Sequence, residues 1–128
     1  MFNIHLSTRK GDGYVKAALR GELDLAYAAD VTEALIAAVS RGPLILVDMS
    51  ALNFIDVSGV SALTVARGQA RKAGGDLYLC GPRSQALKIL GVLRHTFSVH
   101  ASVAEAVSSA GLRRGVVPPM RQHPGASR

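Results

Sequence analysis

The sequence predicts a single α/β domain, with a mixed, mostly parallel sheet of four to five strands and covering helices. Three observations carry this expectation. Two early segments alternate polar and apolar residues across a turn rich in glycine and aspartate. The apolar spacing then changes to a helical period. From there on, short apolar runs and helical segments take turns, as strands joined by crossover helices do. At 128 residues and 48% hydrophobic content, the chain can bury one core and is too short for two. The domain is expected over residues 1–112, followed by a basic, disordered tail over 113–128, where prolines and polar residues break any apolar period.

The elements follow in order. Phe2 to Leu6 alternates, as does Tyr14 to Leu23, with Val15, Ala17 and Leu19 on one face; Arg9-Lys10-Gly11-Asp12-Gly13 between them reads as a hairpin turn. Tyr27, Val31, Ala34, Leu35, Ala38 and Val39 form a helical stripe that stops before Gly42-Pro43. Leu44-Ile45-Leu46-Val47, ended by Asp48, has the continuous apolar character of a strand buried on both faces, and it should be the central strand. After a loop, Ser58 to Ala73 is helical, with Val60, Leu63 and Ala70 inward and Gly74-Gly75 as a glycine C-cap. Leu77 to Cys80 is a strand, and Ser84 to Leu93 a helix with Ala86, Leu87, Leu90 and Leu93 on one side. A short strand near Phe97 to Val99 and a last helix over Val103 to Ser109 complete the domain.

Composition narrows the function. The N-terminus lacks a basic segment followed by an apolar stretch, and no apolar run approaches the ~20 residues of a membrane span, so the chain is expected to be cytoplasmic. One cysteine, Cys80, leaves no internal disulfide and no cysteine-based metal cluster, and it should be a buried strand residue. A net charge of +6 could attract nucleic acid. However, the six Phe and Tyr residues do not interleave with basic ones as base-stacking platforms do, so no direct nucleic-acid binding is expected. The histidines His5, His95, His100 and His123 are scattered, and neither a nucleophile elbow nor a phosphate-binding glycine loop is present. No enzymatic activity, cofactor or metal is therefore expected. A receiver domain would need an acidic pair after the first strand, where Ser7-Thr8-Arg9-Lys10 stands instead.

The candidate site is Asn53-Phe54-Ile55-Asp56-Val57-Ser58-Gly59-Val60, where the central strand hands over to a helix. Asp56 or Ser58 can cap the helix, and Gly59 leaves the first turn open to an approaching group. Unpaired backbone N–H groups and the positive end of the helix dipole would accommodate a phosphate on Ser58. A merely capped helix would use the same residues.

The stretch Leu44 to Leu63, LILVDMSALNFIDVSGVSAL, resembles the central signature of STAS domains, which bacterial anti-sigma factor antagonists share with the cytoplasmic tails of sulfate transporters. Gly21-Glu22-Leu23-Asp24, Gly74 to Gly81 and Ser102 to Ala106 resemble further parts of that family, so the similarity runs from about Phe2 to Leu112. What it implies is partner switching. The unmodified antagonist binds an anti-sigma factor with serine kinase activity and frees a sigma factor, and phosphorylation of the serine before the motif's glycine, here Ser58, ends the binding. The implied contact surface is Asp24, Asp56, Val57, Ser58, Gly59 and Val60, on a monomer or weak dimer. Val57 stands where the family often has serine or threonine. The alternative within the fold is an interaction module without a kinase: a stressosome or lipid-transport complex subunit, or a nucleotide or anion binder.

Overall fold

The computed structural model describes residues 2–8 and 13–110. In order, these form β1 (Phe2–Thr8), β2 (Val15–Leu23), α1 (Leu25–Val39), β3 (Leu44–Ile55), α2 (Val57–Lys72), β4 (Asp76–Cys80), α3 (Ser84–Val92), β5 (Ser98–His100) and α4 (Val103–Ser109). Apart from Gly13, the expected turn at Arg9 to Gly13 lies outside the described residues, as does the expected tail over 113–128.

The five strands lie in one sheet in their sequence order. β1 pairs antiparallel with β2, Ile4 opposite Leu19, and the remaining neighbours are parallel. Each of the three strand–helix–strand connections therefore steps one strand in the same direction. Right-handed crossovers of that kind place α1, α2 and α3 on one face of the sheet. α4 follows the last strand and covers part of the other face. The side chains of β3 record both layers: Ile45 and Val47 join the larger core, while Leu44 and Leu46 pack with Cys80 and with Ala106 of α4. Leu44 to Val47 is thus the doubly buried central segment that its apolar run implied.

Two expectations need correction. The central strand does not end at Asp48 but continues to Ile55. Its inward side chains are Ile45, Val47, Met49, Leu52 and Ile55, all buried, so the spacing changes from two residues to three. The pairing with β2 explains the change. Ala18 pairs with Asp48 but Arg20 with Ala51, and Gly21 with Leu52 but Glu22 with Phe54, so β3 carries one extra residue at each of two bulges. Each bulge keeps the apolar residue facing inward while destroying the two-residue alternation by which a strand is recognised. In α3, Ala86 and Leu90 are buried as expected, but Leu87 and Leu93 are exposed, and Ile89 packs on the core instead. That short helix lies over the end of the sheet and presents a narrower stripe than its apolar content suggests.

α2 approaches the sheet closely because its inner face is built from small residues, Gly59, Ala62, Ala66 and Ala70, around Leu63. The contact is tightest at the first turn. A Cβ on Gly59 would stand 2.6 Å from Ile55 Cγ1, 2.9 Å from Leu23 Cγ and 3.0 Å from the Leu23 carbonyl oxygen. Gly59 is buried, so its missing side chain lets the helix start seat on the ends of β2 and β3. It does not open the entrance to solvent. By contrast, a Cβ on Gly68, on the outer side of α2, would meet nothing within 4 Å.

These two glycines make opposite predictions on one helix. Gly59→Ala should lower unfolding free energy by about 1–3 kcal/mol, because overpacking outweighs the gain in helix propensity. Gly68→Ala should raise it by about 0.5–1 kcal/mol. Urea denaturation of both variants checks this, and equal effects at the two positions would contradict the packing argument.

Candidate functional site

The long central strand creates a problem that its neighbours solve. β4 pairs with β3 only as far as Cys80 opposite Asp48, so residues 49–55 of β3 extend beyond it with one backbone edge unpaired. Polar groups at the start of α3 serve that edge instead. The Gln85 side-chain amide closes both ends of one residue: Oε1 accepts from the Ile55 N–H at 2.9 Å, and Nε2 donates to the Ile55 carbonyl at 2.8 Å. Arg83 Nε donates to the Ser50 carbonyl at 2.9 Å, and Arg83 Nη1 to Asn53 Oδ1 at 2.6 Å. Both bulges are thereby tied to α3. Asp48 secures the first from within, as Oδ1 accepts from the Ser50 N–H at 3.0 Å and from its hydroxyl at 2.7 Å.

This overhang delivers the helix entrance. Leu23 and Ile55 pair at the ends of parallel β2 and β3, so the residues that follow leave the sheet side by side. Asp24 caps α1 by accepting from the Ala26 N–H at 3.0 Å, and Asp56 caps α2 by accepting from the Gly59 N–H at 3.0 Å. The Asp56 N–H in turn donates to the Leu23 carbonyl at 3.2 Å, which locks the two exits together. α1 and α2 pack against each other from there. Their positive dipole ends therefore emerge from the same edge of the sheet, each already holding one carboxylate.

Of the two capping candidates the structure selects Asp56. Ser58 is the second residue of α2, half-buried, and its hydroxyl makes no hydrogen bond among the described residues. The first helical residues beside the caps are apolar and exposed: Leu25 is 76% accessible and Val57 55%, with Phe54 at 41% just before the turn. Of the six residues expected at a contact surface, Asp24, Asp56, Val57 and Ser58 lie together at this edge. Gly59 and Val60 are buried and shape it from beneath. Phe54 lies within the stretch expected to form the site, whereas Leu25, Arg83 and Gln85 escaped the sequence reading. Leu25 precedes the first recognisable turn of its helical stripe, and Arg83 and Gln85, at the start of α3, lie about 30 positions from the groups they hold.

Elsewhere, Cys80 is buried as expected, and burial, followed by the facing Asp48 carboxylate, pushes its thiol up to about 11. At neutral pH it stays protonated and a poor nucleophile. Among the described residues, no three His, Cys, Asp or Glu are placed to hold a metal, and no helix is long and apolar enough to cross a membrane.

The amide clamp is open to test. Gln85→Leu would leave both backbone groups of Ile55, a fully buried residue, without partners, at a cost of about 1–3 kcal/mol for each unsatisfied group. Hydrogen exchange at the Ile55 amide should accelerate well beyond the global loss of protection. An Ile55 amide that exchanges only with global unfolding in the variant would show that the clamp does not hold the overhang.

Known proteins share this architecture. An anti-sigma factor antagonist from Mycobacterium paratuberculosis superposes with a TM-score of 0.74 at 20% identity, over 85% of this chain and 93% of that one. The Bacillus cell fate determinant SpoIIAA, solved in its phosphorylated form, gives 0.65 at 20% identity over 84% and 98%. A murine Slc26a9 anion transporter matches 78% of this chain with a TM-score of 0.66 at 20% identity, but only 18% of its own length. At such identities the likeness shows the fold. Curated proteins give no significant sequence match. A family model, however, matches residues 5–110 and so spans both aspartate caps, the bulged central strand and the serine-bearing helix entrance: the chain belongs to the STAS domain family.

Proposed function

We propose that this protein is an anti-sigma factor antagonist that works by partner switching without catalysing a reaction itself. In its unmodified form it binds an anti-sigma factor that is also a serine kinase, and a sigma factor is released. Transfer of a phosphoryl group to Ser58 ends the binding. The observation that carries this reading is the setting of Ser58. It offers a hydroxyl without an intrachain partner among the described residues, in the first turn after a carboxylate cap and exposed Val57, on an edge that also presents Leu25 and Phe54. Structural relatives support it, since one is itself an anti-sigma factor antagonist and another has been solved phosphorylated.

The physics of the switch is local. A phosphate adds about −1.5 to −2 charges and three acceptor oxygens to a surface that must lose water against a partner. The first-turn N–H groups of α2 let the helix tolerate the phosphate, so the fold persists. Asp56 and the neighbouring Asp24 add like charge across the same edge. Coupling of about 1–3 kcal/mol would change partner affinity by roughly 5- to 150-fold. Competing hydroxyls are less suited: Thr64 already donates to the Val60 carbonyl at 2.9 Å, and Ser61 lies a turn further from the positive end of α2. The likeness to part of an anion transporter favours a second reading, an interaction module with no kinase, in which Ser58 stays unmodified.

Incubation with the kinase-type anti-sigma factor and ATP, followed by mass-spectrometric mapping, should place phosphate on Ser58. Ser58→Ala should abolish labelling and keep partner binding, whereas Ser58→Asp should weaken binding at least several-fold. Labelling mainly at Ser61 or Thr64 would refute the assignment, and indifference of binding to Ser58→Asp would favour the module.

A further inference from the structure

Behind the switch edge, a groove of about 670 Å³ runs along the outer side of α2, walled by the loop between α3 and β5. Its floor is apolar, with Val57, Val60, Val65, Leu93 and Phe97, and its far end is cationic, with Arg67, Arg71 and Arg94 beside His95. No acidic side chain lines it, and α2 itself contains none. From Val57 to Arg71 the groove spans about 21 Å of helix, four turns. Arg67 is committed to structure, through Asp76 at 3.1 Å, the Thr96 hydroxyl at 2.8 Å and the Phe97 ring at 5.7 Å. Arg71 and Arg94 have no carboxylate partner among the described residues.

The helix dipoles favour a cation at the end of α2 and at the end of α3, where Arg71 and Arg94 stand, but the dipole does not call for a strained backbone. Arg94 adopts a left-handed conformation, φ 52°. α3 ends in a Schellman motif, with the Arg94 N–H donating to the Gly91 carbonyl at 3.1 Å and the His95 N–H to the Leu90 carbonyl at 3.2 Å. α2 ends the same way, with Gly74 donating to Arg71 and Gly75 to Ala70, and there the left-handed position is occupied by Gly74 at φ 91°. Glycine is the residue that this position favours, and arginine adopts it under strain. The His95 ring, whose Nδ1 accepts from the Phe97 N–H at 3.1 Å, further fixes the loop. The chain therefore holds a cation at the groove in a conformation that its own fold does not favour.

We infer that this groove docks an acidic, amphipathic peptide segment of a protein partner, its apolar residues on Val57, Val65 and Leu93 and its carboxylates on Arg71 and Arg94. An open trough with an apolar floor and cations at one end matches a helix that carries apolar residues at three- and four-residue spacing with an acidic flank. The inference stands whether or not Ser58 is modified.

The test is selection of a displayed library of random peptides, ~16 residues each, on the full chain, with the recovered peptides then synthesised. Recovered sequences should combine acidic residues with apolar ones at helical spacing. Their NMR shift changes should fall on residues 57–71 and 93–97, and their affinity should drop as salt rises. Arg71→Glu should weaken binding tenfold or more. Arg94→Gly is the discriminating variant: it should bind several-fold more weakly while melting no lower than the parent chain, since it relieves the strained position. Recovery of neutral or basic peptides, no recovery at all, shift changes elsewhere, or Arg94→Gly binding as tightly as the parent would each overturn the proposal. So would capture of the chain by phosphatidylglycerol vesicles that is lost in Arg71→Glu, which would assign the cations to a membrane surface.

Discussion

The unpaired edge of the central strand is the constraint around which the rest of the molecule is arranged. Residues 49–55 of β3 run past the end of β4, and backbone groups on that side must find partners or cost free energy in a buried setting. Side chains from the start of α3 provide them, and the Gln85 amide imitates a neighbouring strand by both donating to and accepting from Ile55. Without these contacts the overhang and the capped start of α2 would be held from the β2 side alone, through the strand pairing and the Asp56 bond to the Leu23 carbonyl. The two bulges belong to the same solution, since they hold Met49, Leu52 and Ile55 in the core while the strand bends toward the helix it feeds.

Sheet order decides what kind of site results. In open α/β sheets, a ligand crevice forms where the order of strands reverses and neighbouring crossovers leave on opposite faces. Here the order is monotonic, so α1 and α2 rise from the same edge on the same face and pack together. Their starts form a surface in which two carboxylate caps alternate with exposed Leu25 and Val57. Such a surface suits docking, and a single added charge at its centre can oppose docking without any movement of the backbone.

α2 therefore has three separate duties along its length. Its inner face of glycine and alanines sets the distance to the sheet, its first turn presents Ser58, and its outer face forms one wall of the cationic groove. On the opposite wall, Arg94 adds its charge from a strained backbone position at the end of α3. Its neighbour Arg67, held by Asp76, Thr96 and Phe97, shows how a groove arginine looks when the fold itself uses it.

Much of this was legible in the linear chain. The doubly buried Leu44 to Val47, the helical stripe ending before Gly42-Pro43 and the Gly74-Gly75 stop signal are local patterns of polarity and backbone freedom, and local patterns determine which elements form and in what order. Asp56 and Ser58 were identifiable as a helix entrance for the same reason, although which of them caps depended on where the first turn begins. Other features had no local signature. The extension of β3 to Ile55 was hidden because bulges break the alternation that marks a strand, and bulges exist only in relation to the partner strand. Gly59 looked like an open approach because its contacts, Leu23 and Ile55, meet it only once two strands and a helix have packed. Gln85, Arg83 and Arg94 are ordinary polar residues in sequence. Composition and periodicity by themselves determined the fold class and the place of the serine. Tertiary structure alone decided which backbone edge needed partners and which cations were left without them, because both depend on contacts between residues distant in the chain.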